Sequence, residues 1–463
     1  MDDQSVHHRE LPHGHEDEPP ADLAGPGRPV AHTSTRVTYP ELVRQHGRFL
    51  AFGLGLTFLS SFGQTFFISL FNESIRGDFG LSHGQVGATY SVATLVSGFT
   101  LAWVGQRLDA ADLRRFTAAL CVALALAALG MTLTAGVGSL LLAFFLLRLT
   151  GQGLLSHTAL TSMSRYFDAG RGKAMSIAGL GFPLGEAVLP LLTVLAIGAL
   201  GWRQTWLVVC LFTAVVALPG TQLLLKGHGE REHRLRERLA QAEEVAFDPA
   251  VASSTRGDGE PGGGSSGRQW TLRQVLRDPR FALMLPAVVA PGFIVTGFFF
   301  HQNHLVDAKG WTPEWFATCF AVFAFSQLAT GVAAGPLVDR YGGRTLLPVF
   351  TLPMGLGLAL LATGGSPWVA AAFMTGLGVT AGLNPTVVGS MWAEVYGVVH
   401  LGAIRAMAQS VMVFGTAASP ILMGVLIDSG TRIDAMAWGA LGWVFVSAAL
   451  ASLARARRVM RSS

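Results

Sequence analysis

The stretch GPLVDRYGGR, Gly335 to Arg344, sets one aspartate and two arginines between two long apolar runs. Half a chain earlier lies GQRLDAADLRR, Gly105 to Arg115. Both place an aspartate four residues after a glycine and arginines shortly afterwards, and the two aspartates, Asp109 and Asp339, are 339 − 109 = 230 residues apart. A charged turn that recurs at long spacing in an otherwise uncharged chain marks an internal repeat.

Composition says what is being repeated. Charged residues are 13% of the 463 residues and hydrophobic ones 51%, against a usual charged share of about 25%, and the mean hydropathy is +0.45. That balance places the chain in lipid. Uncharged apolar segments, each close to the ~20 residues that cross a bilayer as a helix, recur throughout, and twelve are expected. They lie near Phe49 to Phe71, Gly84 to Val104, Phe116 to Gly136, Ser139 to Thr161, Ala174 to Gly198, Gln204 to Leu225, Phe281 to Phe300, Trp315 to Val338, Thr345 to Thr363, Pro367 to Ala393, Ala406 to Ile427 and Ala435 to Ala454. Lipid offers no hydrogen-bond partner, so each must satisfy its own backbone as a helix, whereas barrel strands would show alternation over about ten residues. An all-α integral membrane protein follows.

Lys and Arg gather in alternate loops: Arg107, Arg114 and Arg115; Arg165, Arg171 and Lys173; Arg340 and Arg344; Arg405; and Arg455, Arg457, Arg458 and Arg461 after the last segment. The opposite loops hold only Arg76, Arg203, Lys309 and Arg432. The positive-inside bias puts the first set in the cytoplasm, with both termini, in a multi-pass protein of a bacterial inner (plasma) membrane. The formal net charge of +4 then reflects topology and calls for no nucleic-acid partner. A monomer is expected.

Residues 1–45 form a polar, Pro- and His-rich cytoplasmic tail without a signal peptide's apolar core. His7, His8, His13 and His15 within it favour a solvated tail over a metal site, because no fixed ligand geometry is implied. Residues 227–280 form a cytoplasmic linker, with a helix-prone EREHRLRERLAQAEE (Glu230 to Glu244) and a flexible DGEPGGGSSG (Asp258 to Gly267). It divides a six-helix half at 46–226 from a second at 281–455, and a short tail follows at 456–463. Cys121, Cys210 and Cys319 lie in or beside apolar segments, so neither disulfide nor metal chemistry is expected, and no cofactor.

The two charged turns each fall between the second and third segment of their own half. A second pair agrees: SMSRYF (Ser162 to Phe167) after segment four matches SMWAEVY (Ser390 to Tyr396) after segment ten. Two like-oriented halves imply an axis along the membrane normal and a substrate site between them at mid-depth.

With these features the chain resembles the major facilitator superfamily over essentially all of its spanning length. GPLVDRYGGR is a near-complete form of that family's signature turn, GQRLDAADLRR a degenerate one, and RLTGQG (Arg148 to Gly153) and GWRQTW (Gly201 to Trp206) are further family-like pieces. GQTFFISLF, RYFDAGRGKAMSIAGLG, FFFHQNHLVDAKGW and VYGVVHLGAIRAM resemble the bacterial branch of the monocarboxylate porters. The resemblance implies alternating-access transport, commonly proton-coupled, often of small organic anions. It also implies a conformational latch at Gly105, Asp109, Arg114, Gly335, Asp339, Arg340, Gly342 and Arg344, in which the aspartates meet nearby arginines and the N-terminal end of a helix from the other half. Many monocarboxylate porters carry an arginine in helix eight; here WFATCFAVFAFSQLATGVAAGPLV has no ionisable residue.

Within the twelve segments three side chains ionise: Arg148 and His157 in the fourth and Glu186 in the fifth. Charge at mid-bilayer costs at least ~2.5 kcal/mol, so each should face a partner or water. Arg148 and Glu186 fit either a structural ion pair or an anion-binding arginine with a proton carrier. His157, nearer the cytoplasmic end, fits a helix contact better than a proton relay. His301 and Gln302, with His304, end segment seven and either gate the path or meet interfacial water. Gln64 and Asn384, in segments one and ten, are substrate-binding candidates, since the resemblance implies that helices one, four, seven and ten line the cavity; Gln409 reads as interhelical glue.

These residues favour a secondary transporter moving a small organic anion with protons, and after it a proton-driven exporter of amphiphilic compounds. An enzyme is disfavoured because the segments hold no nucleophile–base pair, and ATP drive because no GxxxxGK[ST] loop occurs.

Overall fold

A computed structural model describes residues 38–104, 111–167, 170–233, 235, 237 and 270–456. Gly105 and Asp109, residues 1–37 and 457–463 and most of the linker lie outside the described residues, and helix begins at Tyr39, within the stretch 1–45 expected to be a tail.

Helices account for every spanning element. They are α1 (Tyr39–Gly63, resuming as Thr65–Phe79), α2 (His83–Val104), α3 (Leu113–Thr132), α4 (Val137–Tyr166), α5 (Arg171–Leu200), α6 (Trp202–Leu224), α7 (Pro279–Phe300), α8 (Pro313–Tyr341), α9 (Leu352–Thr363), α10 (Pro367–Tyr396), α11 (Leu401–Asp428) and α12 (Ile433–Ala456). Among the described residues ten are long and apolar enough to span alone, and the bent α1 makes up to eleven. The exception is α9. The expected segment Thr345 to Thr363 is divided: a single turn of helix at Gly343–Leu346 gives way to turns, and α9 begins only at Leu352. Pro348 and Pro353 explain the interruption, since neither has an N–H to donate.

The halves meet along α2 against α11 and α5 against α8. Small residues let these backbones approach. A Cβ on Gly87 would lie 2.5 Å from the Pro420 carbonyl oxygen, and one on Gly424 would lie 2.5 Å from that of His83. Within lipid, where apolar surface gives no drive to associate, such contact supplies the attraction. Phe325 and Val332 of α8 remain largely exposed, 73% and 75%, an apolar exterior suited to hydrocarbon.

The helix ends repeat as well as the charged turns. Gly80 and Gly310 both terminate a short helix in the left-handed region, at φ 61° and 65°, and stand 310 − 80 = 230 residues apart. The four cations of the sparsely charged loops are all paired: Arg76 with Glu73 at 2.7 Å, Arg203 with Asp78, and Lys309 and Arg432 with Asp434 at 2.7 and 3.0 Å.

Candidate functional site

The break in α1 shapes the site. After Gly63 the backbone of Gln64 turns extended (φ −85°, ψ 156°), and the helix resumes at Thr65 bent by 46°. A broken helix leaves carbonyls without their intrahelical donors. Arg148 Nη1 donates to one of them, Gly63 O, at 3.4 Å. Arg148 opens a π-helical stretch of α4, Arg148–Leu155, a wider turn that places α4 against the break. Glycine makes the approach possible: a Cβ on Gly63 would lie 2.2 Å from Leu147 O, and one on Gly151 would lie 2.7 Å from Gly63 Cα.

The Arg148 guanidinium lies 5.2 Å from the centre of the Tyr90 ring, a cation–π distance, and its Nε is buried without a protein partner. Tyr90 Oη and Thr65 Oγ1 share a hydrogen bond of 2.8 Å. Behind them Tyr90 packs on Phe144 and Phe300, at 5.7 and 4.6 Å between ring centres. About eleven residues separate Arg148 from the start of α4, roughly 16 Å at ~1.5 Å per residue, which is mid-depth in a ~30 Å core. Gln64 is half-buried beside this group and its side chain makes no hydrogen bond. Neither Tyr90 nor Thr65 is singled out by the sequence alone. An aromatic hydroxyl in an otherwise apolar helix, GATYSVAT, was the available signal.

The ion pair between Arg148 and Glu186 is not formed. Glu186 is buried, 9% exposed, with Oε2 unpartnered. Its neighbour Gly185 presses on α1, where a Cβ would lie 2.1 Å from Ser61 Oγ. Arg148 and Glu186 therefore approach the broken part of α1 separately, without cancelling each other's charge. His157 is exposed and makes no hydrogen bond, so the expected helix contact through it is absent.

His301 and Gln302 do not meet interfacial water. Both are buried, 4% and 1% exposed. Gln302 Nε2 crosses to the other half, donating to Phe66 O at 2.9 Å and Ser69 Oγ at 2.7 Å. Asn72 Nδ2 returns the contact to Phe300 O at 2.7 Å. His301 Nε2 donates to Pro420 O at 2.8 Å, and the His83 ring stands 5.7 Å from that of His301 and 4.9 Å from that of His304. Beside them Asp428, at the end of α11, accepts from Ser82 Oγ (2.6 Å), His83 N (2.9 Å) and Gly84 N (2.8 Å).

The signature turn is arranged differently from that carboxylate. Asp339 is exposed and makes neither hydrogen bond nor ion pair with a described residue, because the α8 terminus leaves it facing outward. The first turn after Gly342 is capped instead by Glu394 of α10, in the same half, which accepts from Gly343 N at 2.6 Å and Arg344 N at 3.0 Å. Gly342 takes φ 77°, a conformation that suits glycine. Arg344 Nη2 donates to Arg455 O at 2.6 Å, Arg340 lies over its neighbour Tyr341 at 5.2 Å, Gly335 has open space around it, and Arg114 Nε donates to Gln222 Oε1 at 3.1 Å within its own half. Among these described residues the carboxylate that caps a helix of the other half is Asp428, at the opposite end of the bundle.

Asn384 stands apart from Arg148, on the wall of a cavity of about 400 Å³ between α7, α10 and α11.

The model of the Major Facilitator Superfamily matches residues 53–322 and 295–462. Monocarboxylate transporter 13 of Bos taurus is 29% identical over 311 residues, and the match spans 65% of each chain, just under two thirds of that relative's length. Among solved structures, the nucleoside transporter NupG superposes with a TM-score of 0.57 at 17% identity, covering 90% of this chain and 97% of that one. A bacterial homologue of the human lysosomal transporter Spinster, in an inward-facing and unoccupied conformation, gives 0.60 at 13% identity, covering 88% and 96%. These structural likenesses concern the fold. The family match spans almost all of the helical chain, which belongs to the Major Facilitator Superfamily and is a multi-pass membrane protein.

Proposed function

We propose that the protein carries a small organic carboxylate together with protons, by alternating access, in an inner membrane with both termini cytoplasmic. Arg148 carries this reading. It is a mid-depth cation with no carboxylate beside it, braced by a carbonyl at a helix break and by an aromatic face, with one buried N–H unclaimed. A buried cation of this kind is stable when an anion arrives to share it. Guanidinium geometry suits a carboxylate bidentately. The likeness to a monocarboxylate transporter points the same way. Glu186, buried and unpaired, is the proton carrier: an unpartnered charge in that position is costly, and binding a proton removes it. Gln64 and Asn384 contribute polar contacts to the cargo. Gln302 acts through the outer closure, with His301 bracing it within the second half.

The test is uptake of lactate, pyruvate and benzoate into proteoliposomes under an imposed proton gradient. Glu186→Gln should abolish gradient-driven accumulation and leave exchange at equal pH intact. Arg148→Lys should keep the charge and raise the apparent KM by about tenfold through loss of bidentate recognition. Full coupled uptake by Glu186→Gln would refute the proton-carrier role, and no uptake of any acid by the wild type would refute the carboxylate.

A further inference from the structure

The cavity between α7, α10 and α11 is a built space without an assigned occupant. Its volume is about 400 Å³, ample for an acid of aromatic size, and Val288, Val388, Trp392 and Met412 give it an apolar body. Polar groups converge on one side: Arg405 and Gln409 from α11 and Asn384 from α10. No carboxylate is among the lining residues. The Asn384 Oδ1 atom is buried without a partner, an acceptor open to a hydroxyl on the cargo, while the Nδ2 of the same amide is a donor for a carboxylate.

Arg405 is placed to bind an anion. Arg405 is exposed at the rim of the cavity; its Nη2 donates to Gly389 O at 2.5 Å, and its other N–H groups make no hydrogen bond to a described residue. A guanidinium offers five donors in a fixed plane. One anchored edge and one open edge, beside an apolar chamber, match a carboxylate on an apolar body. The loop-charge bias explains a positive residue at this end of α11, but not why it is folded back onto Gly389 in the wall of a cavity.

We propose that this cavity is a second carboxylate site, separate from Arg148, in which Arg405 holds the acid's carboxylate, Gln409 and Asn384 supply polar contacts, and Trp392 and Met412 contact its apolar part. It rests on the reading of the cargo as an organic carboxylate. Arg405 lies about four residues into α11, close to the end that bears the basic loops, so the site would hold cargo at the cytoplasmic mouth of the path, before or after the Arg148 station.

The experiment is calorimetric titration of the full chain in detergent with benzoate, for wild type, Arg405→Gln, Arg148→Gln and Met412→Trp. Two binding events are expected in the wild type. Arg405→Gln should weaken one by about tenfold or more and leave the other, while Arg148→Gln should do the converse. Met412→Trp, which fills the chamber without removing any hydrogen bond, should reproduce the Arg405→Gln result and guards against a folding defect in that variant. Unaltered benzoate binding in both Arg405→Gln and Met412→Trp, with loss in Arg148→Gln, overturns the second site and leaves the proposed function standing. Absence of binding in the wild type of benzoate, and of lactate and pyruvate titrated in the same way, overturns both.

Discussion

His301 shows how a single polar residue can be set against its surroundings. It sits one position beyond α7, buried, with its ring nitrogen spent on Pro420 O. Burial, foremost, pulls its pKa from 6.5 to about 4; the Pro420 hydrogen bond opposes this, His304 and Arg76 add to it, and Asp428 opposes it. Between those two values the unfolded chain binds more protons than the folded one, so this group's contribution to stability is full above pH 6.5 and is lost as pH falls towards 4. The upper bound on the loss is about 3 kcal/mol. The melting temperature of the wild type should therefore drop between pH 7.5 and pH 5 by more than that of His301→Gln, which keeps a donor for Pro420 and cannot titrate. Parallel drops in the two proteins would remove His301 as the cause. Such a residue is only half legible from sequence. FFFHQNH announces a polar helix end, but whether it faces water or the opposite half depends on α1, more than two hundred positions away.

Among the elements, the crossing of α1 and α4 governs the geometry around Arg148, and it depends on two glycines. Gly151→Ala should be destabilising by about 1–3 kcal/mol, the usual cost of overpacking, because the new methyl would stand 2.7 Å from Gly63 Cα. Gly138→Ala on the same helix, with nothing within 4 Å of a Cβ, should leave the melting temperature unchanged or raise it. Equal effects of the two substitutions would show that the close approach carries no weight. Spans and their order were readable because apolar runs of bilayer length have only one solution in lipid. Interruptions were less so. The one in segment nine could be read from Pro348 and Pro353. The one at Gln64 could not, because GQTFF contains no helix breaker beyond Gly63; the bend follows from tertiary contact with α4, α2 and α7. The same limit hides Tyr90 and Thr65, while Arg148, a lone cation in an apolar run, stands out.

At the scale of the whole molecule, alternating access requires links between the halves that hold in one state and release in another. The sequence directs attention to the aspartates of the charged turns, and Asp109 falls outside the described residues, while Asp339 has no partner among them. Beside the Gln302 and Asn72 contacts, the described residues contain a charged link between the halves, built on Asp428. Ser82 and Gln85 form a reciprocal cap at the start of α2, with Ser82 N donating to Gln85 Oε1 at 2.9 Å and Gln85 N to Ser82 Oγ at 3.2 Å. Asp428 from α11 adds a carboxylate to that same helix terminus, where a negative charge is favoured by the exposed N–H groups and the helix dipole. Ser82 to Gln85, SHGQ, is a sequence-level capping box, yet nothing local reveals that the missing acceptor comes from the far half. Asp428→Asn keeps the volume and removes the charge. If each capping interaction is worth about 1–2 kcal/mol, the state with the outer end closed loses a factor of roughly 5–30 in population. The readout is labelling of Gln64→Cys, below the closure, by a membrane-impermeant maleimide added outside, in a background with Cys121, Cys210 and Cys319 replaced by serine. Asp428→Asn should accelerate labelling by about that factor, and Asp339→Asn, which touches nothing here, should not. An unchanged rate in Asp428→Asn would mean that Gln302, Asn72 and the α2–α11 packing hold the outer end without it.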